Sequence, residues 1–324
     1  MGLDGMKKIL ISAPPFVNQK EVFEEALNEL GFSAYWGVSK QQLTEEELIE
    51  LVPMFDGWIL GDDPCTRAVL EAGKKGNLKA VVKWGVGTDN IDFLALQELE
   101  IPFSNTPGVF GKEVADLAMA YLISLSRHVV KIDSNVRSGE WIKPAGFSLA
   151  DKNFAIVGFG DIGKNISKRL QASDVRVHVY EVDPQKTKGV ENITVHIWPD
   201  AISEMDAVVL ACALTPENVN IVNSDVLTKM KRGAIIVNVS RGGLINEDDL
   251  VDSLMSGQLG GVALDVYQVE PLPESSRIRK CDNVIFGTHN ASNTVEAVKR
   301  TSRTSLELMK QFLSSDSRID KKSI

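Results

Sequence analysis

One loop constrains this chain more than any other stretch: Val157-Gly158-Phe159-Gly160-Asp161-Ile162-Gly163. A bare GxGxxG punctuates many turns. Here it follows the apolar β-type run Phe154-Ala155-Ile156-Val157, opens a helical pattern over 162–172 and is followed by a second run over 175–180. That strand, loop, helix, strand setting is what a dinucleotide-binding loop needs. Gly158 permits the tight turn, Gly160 lets backbone approach a pyrophosphate, and Gly163 allows close helix–strand packing. Asp161 and Ile162 begin the helix whose N-terminal N–H groups favour phosphate. Glu181 ends the second run, where a carboxylate accepts hydrogen bonds from ribose hydroxyls and repels a 2′-phosphate. Asp183, just before Pro184, is the alternative acid. No arginine stands immediately after Glu181, so a 2′-phosphate is expected to meet a carboxylate and no cation. The expected cofactor is NAD.

The rest of the chain fits an α/β architecture. Runs at 207–210, 234–239, 261–264 and 284–286 continue the alternation begun at the loop, for six strands in all, the count of a full dinucleotide-binding fold. An earlier series places strands at 8–12, 57–60 and 79–83 and helices at 19–30 and 66–73. The longest helical candidate, 112–138, has no strand partner and reads as a connector or an oligomer interface. A last helix, 294–313, precedes a polar tail over 314–324. The length of 324 residues suggests two domains, with an ordinary hydrophobic content of 44% and no need of staples. A net charge of −9 gives no whole-chain footprint for nucleic acid. Cys65, Cys212 and Cys281 form no CxxC pair, which argues against a metal site and for a reducing compartment. The apolar run Ile9-Leu10-Ile11 is too short for a signal segment, and no stretch is long enough to span a membrane. A soluble, cytoplasmic protein is expected.

Three segments fall where the strand ends of the second series should face the cofactor: Asn238-Val239-Ser240-Arg241-Gly242-Gly243, Leu264-Asp265-Val266-Tyr267-Gln268-Val269-Glu270-Pro271, and Gly287-Thr288-His289-Asn290-Ala291-Ser292. With Trp84-Gly85-Val86-Gly87-Thr88-Asp89-Asn90-Ile91-Asp92, Asn105-Thr106-Pro107-Gly108, Val114-Ala115-Asp116 and Leu214-Thr215-Pro216, these resemble the D-isomer-specific 2-hydroxyacid dehydrogenase family, phosphoglycerate dehydrogenases among them. The resemblance covers most of the chain. It implies two doubly wound parallel-sheet domains: an NAD-binding Rossmann domain (107–293) inserted in a flavodoxin-like substrate domain (1–106 and 294–324). It implies catalysis by Arg241, Glu270 and His289. Arg241 would bind the substrate carboxylate or carbonyl oxygen through its fork of donors. His289 would give a proton to the developing alkoxide, and Glu270 would fix its tautomer and support its charge. Gly85-Val86-Gly87 matches a loop whose N–H groups hold the substrate carboxylate, with Trp84 narrowing the pocket. Asp265 matches the acid that orients the nicotinamide carboxamide, and Ala213, Thr215 and Ser240 match cofactor-contacting positions.

The chain departs from the family pattern in places. Thr288 and Ala213 stand where proline is usual, and Asn290 where an aliphatic residue is commoner; each leaves every catalytic group in place. Phosphoglycerate dehydrogenases usually place an arginine after the strand ending here at Leu60, but this chain reads Gly61-Asp62-Asp63-Pro64-Cys65-Thr66-Arg67. Two carboxylates there should repel a phosphate, leaving Arg67, Lys83 and Lys143 as possible partners. The expected activity is therefore hydride transfer between NAD(H) and a small D-2-hydroxy acid or 2-keto acid, in a homodimer. The alternative is an NAD(H)-sensing regulator of the corepressor kind, which shares the fold and the triad.

Overall fold

A computed structural model describes residues 5–37 and 41–314; the first residues and the tail beyond Ser314 lie outside the described part. The chain divides into two compact units, Met1–Val109 with Asn293–Ile324, and Phe110–Ser292. The sequence alone put these divisions at 106/107 and 293/294.

In the first unit five strands, β1 (Lys7–Ile11), β2 (Phe32–Trp36), β3 (Gly57–Leu60), β4 (Ala80–Lys83) and β5 (Phe103–Ser104), form one parallel sheet in the order β2-β1-β3-β4-β5. That is the flavodoxin-like order. β3 and β4 are buried throughout, as strands covered on both faces must be. The sequence reading missed β2 and β5 because both are edges: only Phe32 of β2 is fully buried, and β5 is two residues long. The helix Val295–Leu313 packs on this sheet, and Thr294 caps it by accepting from the Ala297 N–H. Its buried Thr301 and Ser305 hydroxyls donate back to Ala297 and Thr301 carbonyls.

The second unit holds seven parallel strands: β6 (Asn153–Val157), β7 (Arg176–Tyr180), β8 (Ile193–His196), β9 (Ala207–Leu210), β10 (Ala234–Asn238), β11 (Leu259–Leu264) and β12 (Val284–Phe286). Their order, β12-β11-β10-β9-β6-β7-β8, is the dinucleotide-binding order 3-2-1-4-5-6 counted from β6, with β12 added. Six strands were expected; the seventh, β8, is an outer strand of four residues, none of them fully buried, so its Ile-Thr-Val-His alternation is too short to stand out. The expected single helix over 112–138 is two, Gly111–Ser126 and Val129–Arg137, because His128 turns left-handed at φ 55°. The first packs on the helix Asp161–Gln171, where Arg169 pairs with Asp116 at 2.7 Å. The second buries none of its residues. Among the described residues no helix is long and apolar enough to cross a membrane.

Candidate active site

The glycine loop lies between β6 and the helix Asp161–Gln171, at the point where the strand order reverses. Gly158 has φ +94°, and a Cβ there would come within 2.5 Å of the Cys212 backbone; one at Gly163 would meet the Gly158 carbonyl oxygen at 2.1 Å. The space beside Gly160 is open to 4 Å. No side chain caps the helix, so its first N–H groups remain available to an anion. These features fit the pyrophosphate of a dinucleotide. Asp161 sits at the helix start, its carboxylate accepting from the Asn165 amide at 3.1 Å.

Glu181 follows β7 with its side chain only 4% exposed. Its Oε2 accepts from the Phe159 N–H at 2.7 Å, tying it to the glycine loop, and its Oε1 from the Asp183 N–H at 3.0 Å. Burial pushes the carboxyl pKa up, but these donors and Lys186 outweigh it and hold the group below the usual range. Asp183, the alternative acid, instead accepts from the Gln185 N–H at 2.9 Å and starts the turn Pro184–Lys186. That turn corrects the expectation of no cation near a 2′-phosphate. It folds Lys186 back, placing its Nζ 3.3 Å from Glu181 Oε1. The lysine stands five residues beyond Glu181, and only the turn brings it back.

Around the second strand ends Glu270, His289 and Asp265 take up connected positions. Glu270 Oε2 stands 2.8 Å from His289 Nδ1, and its Oε1 accepts from the Tyr267 N–H at 2.9 Å. A carboxylate at Nδ1 favours the tautomer protonated on that nitrogen. His289 itself sits at φ +53°, a backbone conformation most side chains avoid. Asp265, 1% exposed, holds that loop in place: its carboxylate accepts from the Asn290 N–H at 3.1 Å and the Ala291 N–H at 2.8 Å, and from the Tyr121 hydroxyl at 3.3 Å. Its carbonyl accepts from the His289 N–H at 2.6 Å. Gly287 is needed there, since a Cβ would meet Asp265 Oδ1 at 2.3 Å. The brace depends on main-chain donors brought together by folding, which the sequence does not display.

Arg241 follows β10, its guanidinium donating to the Ser240 carbonyl at 2.9 Å. Ser240 donates to the Cys212 carbonyl. In the turn after β9, Asn218 links the expected contact residues: its Oδ1 accepts from the Thr215 N–H at 2.8 Å and its Nδ2 donates to the Ala213 carbonyl at 2.7 Å.

In the first unit, the Gly85-Val86-Gly87 loop follows β4. Thr106 locks it, accepting from the Gly85 N–H at 2.9 Å and donating to the Gly85 carbonyl at 3.1 Å. The Gly85 N–H is thus committed, and Val86 and Gly87 supply the loop's remaining donors. Trp84 is 6% exposed and donates from its indole to Ser302 at 3.0 Å, which anchors the loop to the last helix. Of the two carboxylates after β3, Asp63 is wholly buried and accepts from Ser12, Leu43 and Gly61; only Asp62 reaches the surface. The expected pair of repelling carboxylates is therefore a single one. Arg67 pairs with Glu98 at 2.7 Å, and Lys83, 2% exposed, pairs with Asp62 at 2.9 Å and donates to the Gly61 carbonyl. Among the described residues no cluster of three or more acids, histidines or cysteines is placed to hold a metal.

Residues 119–291 match the model of the D-isomer specific 2-hydroxyacid dehydrogenase NAD binding domain. The hydroxypyruvate reductase of Thermotoga maritima is 34% identical over 269 residues, covering 81% of this chain and 86% of that protein. The D-3-phosphoglycerate dehydrogenase of Synechocystis is 31% identical over 311 residues, 91% of this chain but only 56% of that longer enzyme. The TT0316 protein from Thermus thermophilus superposes with a TM-score of 0.84 at 29% identity, covering 94% of this chain and 96% of that one. These matches place the chain among NAD-linked oxidoreductases. More narrowly, the chain belongs to the D-isomer specific 2-hydroxyacid dehydrogenase family and is an NAD-dependent dehydrogenase acting on small hydroxy or keto acids.

Proposed function

We propose that the substrate is a small 2-keto acid without a phosphate group, reduced to the D-2-hydroxy acid. The observation that carries this is the state of the cations near β3: Arg67 is held by Glu98, and Lys83 is buried against Asp62. Lys83 is buried away from a phosphate, Arg67 would have to leave Glu98 to hold one, and Asp62 opposes one.

In this reading the first unit is the substrate domain, and the Val86 and Gly87 N–H groups take the substrate carboxylate, with Trp84 limiting side-chain size. The second unit binds the cofactor through Gly158, Gly160, Asp161, Ile162, Gly163 and Glu181, helped by Ala213, Thr215 and Ser240. Bound NADH supplies the hydride. Arg241 polarises the substrate carbonyl and stabilises charge on its oxygen, and His289 gives that oxygen a proton from Nε2. Glu270 supports the imidazolium that acts as the acid. Asp265 adds to its bracing role an acceptor for the carboxamide. The homodimer would form through the helix Val129–Arg137 and the segment after it, where Val129, Val130, Val136 and Trp141 are exposed. Widely separated free thiols suit the cytoplasm.

The test is kcat/KM with NADH for hydroxypyruvate, glyoxylate, 2-ketobutyrate and 3-phosphohydroxypyruvate. At least about a tenfold preference for one of the unphosphorylated acids is expected, ~1.4 kcal/mol. A preference for the phosphorylated compound would overturn the substrate assignment.

A further inference from the structure

The carboxylate at the ribose position is more heavily committed than a cofactor acid needs to be. An ionised carboxylate has about four acceptor positions. Three are in use at Glu181: Phe159 N–H on Oε2, and both Asp183 N–H and Lys186 Nζ on Oε1. The adenosine ribose of NAD presents two neighbouring hydroxyls, each able to donate. One finds the open position on Oε2. The second reaches Glu181 only by displacing a donor already there.

Lys186 is the donor that yields. The two N–H groups belong to main chain fixed by the glycine loop and by the turn at Asp183, whereas Lys186 holds by the longest of the three bonds and is 44% exposed. The long, half-exposed side chain of Lys186 can turn to water, which the two main-chain donors cannot. Once displaced, the ammonium remains tethered by the turn Pro184–Lys186 beside the ribose edge. A 2′-phosphate changes the balance. It removes one of the hydroxyls that competes for Glu181, and it brings a dianion to the ammonium.

We infer that Lys186 is a specificity-determining residue for the cofactor: it competes with the ribose of NAD for Glu181 and supplies the cation that a 2′-phosphate requires. The chain then discriminates less sharply between NADH and NADPH than Glu181 alone would impose. This inference rests on the reading of Glu181 as the ribose acid.

The test is calorimetric binding of NADH and NADPH to the full chain, without substrate. For Lys186→Ala, the ratio Kd(NADPH)/Kd(NADH) should rise about tenfold, mostly through weaker NADPH binding with a smaller tightening of NADH. A ratio that stays within about twofold of the parent, or falls, overturns the inference. Lys188→Ala removes an equal charge two residues on and should leave the ratio within about twofold; an equal shift there would reduce the effect to general charge and sink the assignment. Glu181→Gln separates the inference from the reading beneath it. Weakened NADH binding in Glu181→Gln beside an unmoved ratio in Lys186→Ala removes only the lysine's role. Unchanged NADH binding in Glu181→Gln removes Glu181 from the ribose site altogether.

Discussion

Asp63 and Asp265, one in each unit, use the same chemistry for different ends. Each follows a strand of a parallel sheet, β3 or β11, and is essentially buried. Each accepts two main-chain N–H groups and one hydroxyl: Leu43, Gly61 and Ser12 for Asp63, and Asn290, Ala291 and Tyr121 for Asp265. A buried carboxylate left without donors is costly, so each fixes the segment that supplies them. The segment held by Asp63 carries no reactive group. The one held by Asp265 carries His289, whose ring meets Glu270 at 2.8 Å. The same brace should therefore show up as stability in the first unit and as reaction geometry in the second.

That contrast fails first if the braced loop does not carry the acid. His289→Ala should lower kcat for keto-acid reduction by about 10²- to 10⁴-fold, with the Kd for NADH within about twofold of the parent, because in the proposed mechanism the imidazole acts on the reacting oxygen. Glu270→Gln should keep part of the activity. Reduction needs the protonated ring, so the alkaline limb of its pH–rate profile should move to lower pH when the counter-charge is lost. Near-parental turnover in His289→Ala would remove the proposed acid.

Paired amide substitutions sharpen the contrast. Asp265→Asn must turn an NH2 toward a main-chain N–H at Asn290 or Ala291, and Asp63→Asn toward Leu43 or Gly61. Each should lose about 1–3 kcal/mol of stability in denaturant unfolding. Only Asp265→Asn should also lower kcat, by about tenfold or more, since a small misplacement of His289 is felt in the transition state. Asp63→Asn should keep kcat and the NADH Kd within about twofold. Equal kcat losses in the two variants would show that both braces serve the reaction, or neither does.

What the sequence disclosed, and what it hid, divides by the reach of the interaction. The glycine loop was legible because its signal is local: strand, turn and helix follow one another within 154–172. The flavodoxin-like and dinucleotide-binding sheet orders followed from the resemblance. β8 was missed because its alternation, Ile193-Thr194-Val195-His196, lasts only four residues, and the break at His128 because no glycine or proline marks it. The roles of Asp63, Thr106 and Asn218 depend on donors brought from other turns by folding. Lys186 was hidden differently: it lies five residues from Glu181, and only the turn begun by Asp183 returns it.

The smallest expected effect concerns acid, and it again separates the units. All four histidines, His128, His178, His196 and His289, lie in the second unit. On the outer strands β7 and β8, His178 Nδ1 lies 2.8 Å from His196 Nε2. One ring donates to the other, an arrangement that a second proton breaks. Burial is the main cause holding the His178 pKa below its ordinary value of 6.5; His196 and Arg176 push the same way, and Glu204 opposes them. A histidine whose folded pKa is depressed adds stability that is complete above its unfolded value and is lost as pH falls through the folded one. Stability of the parent should therefore decline below about pH 6.5, and His178→Asn should flatten part of that decline. With the ring only partly buried, the difference between parent and variant should stay under about 1 kcal/mol across about pH 7.5 to 5.5. Denaturant unfolding at the two pH values measures it. Identical pH slopes in parent and variant would mean that the acid response of the second unit comes from its other histidines or carboxylates, and not from this pair.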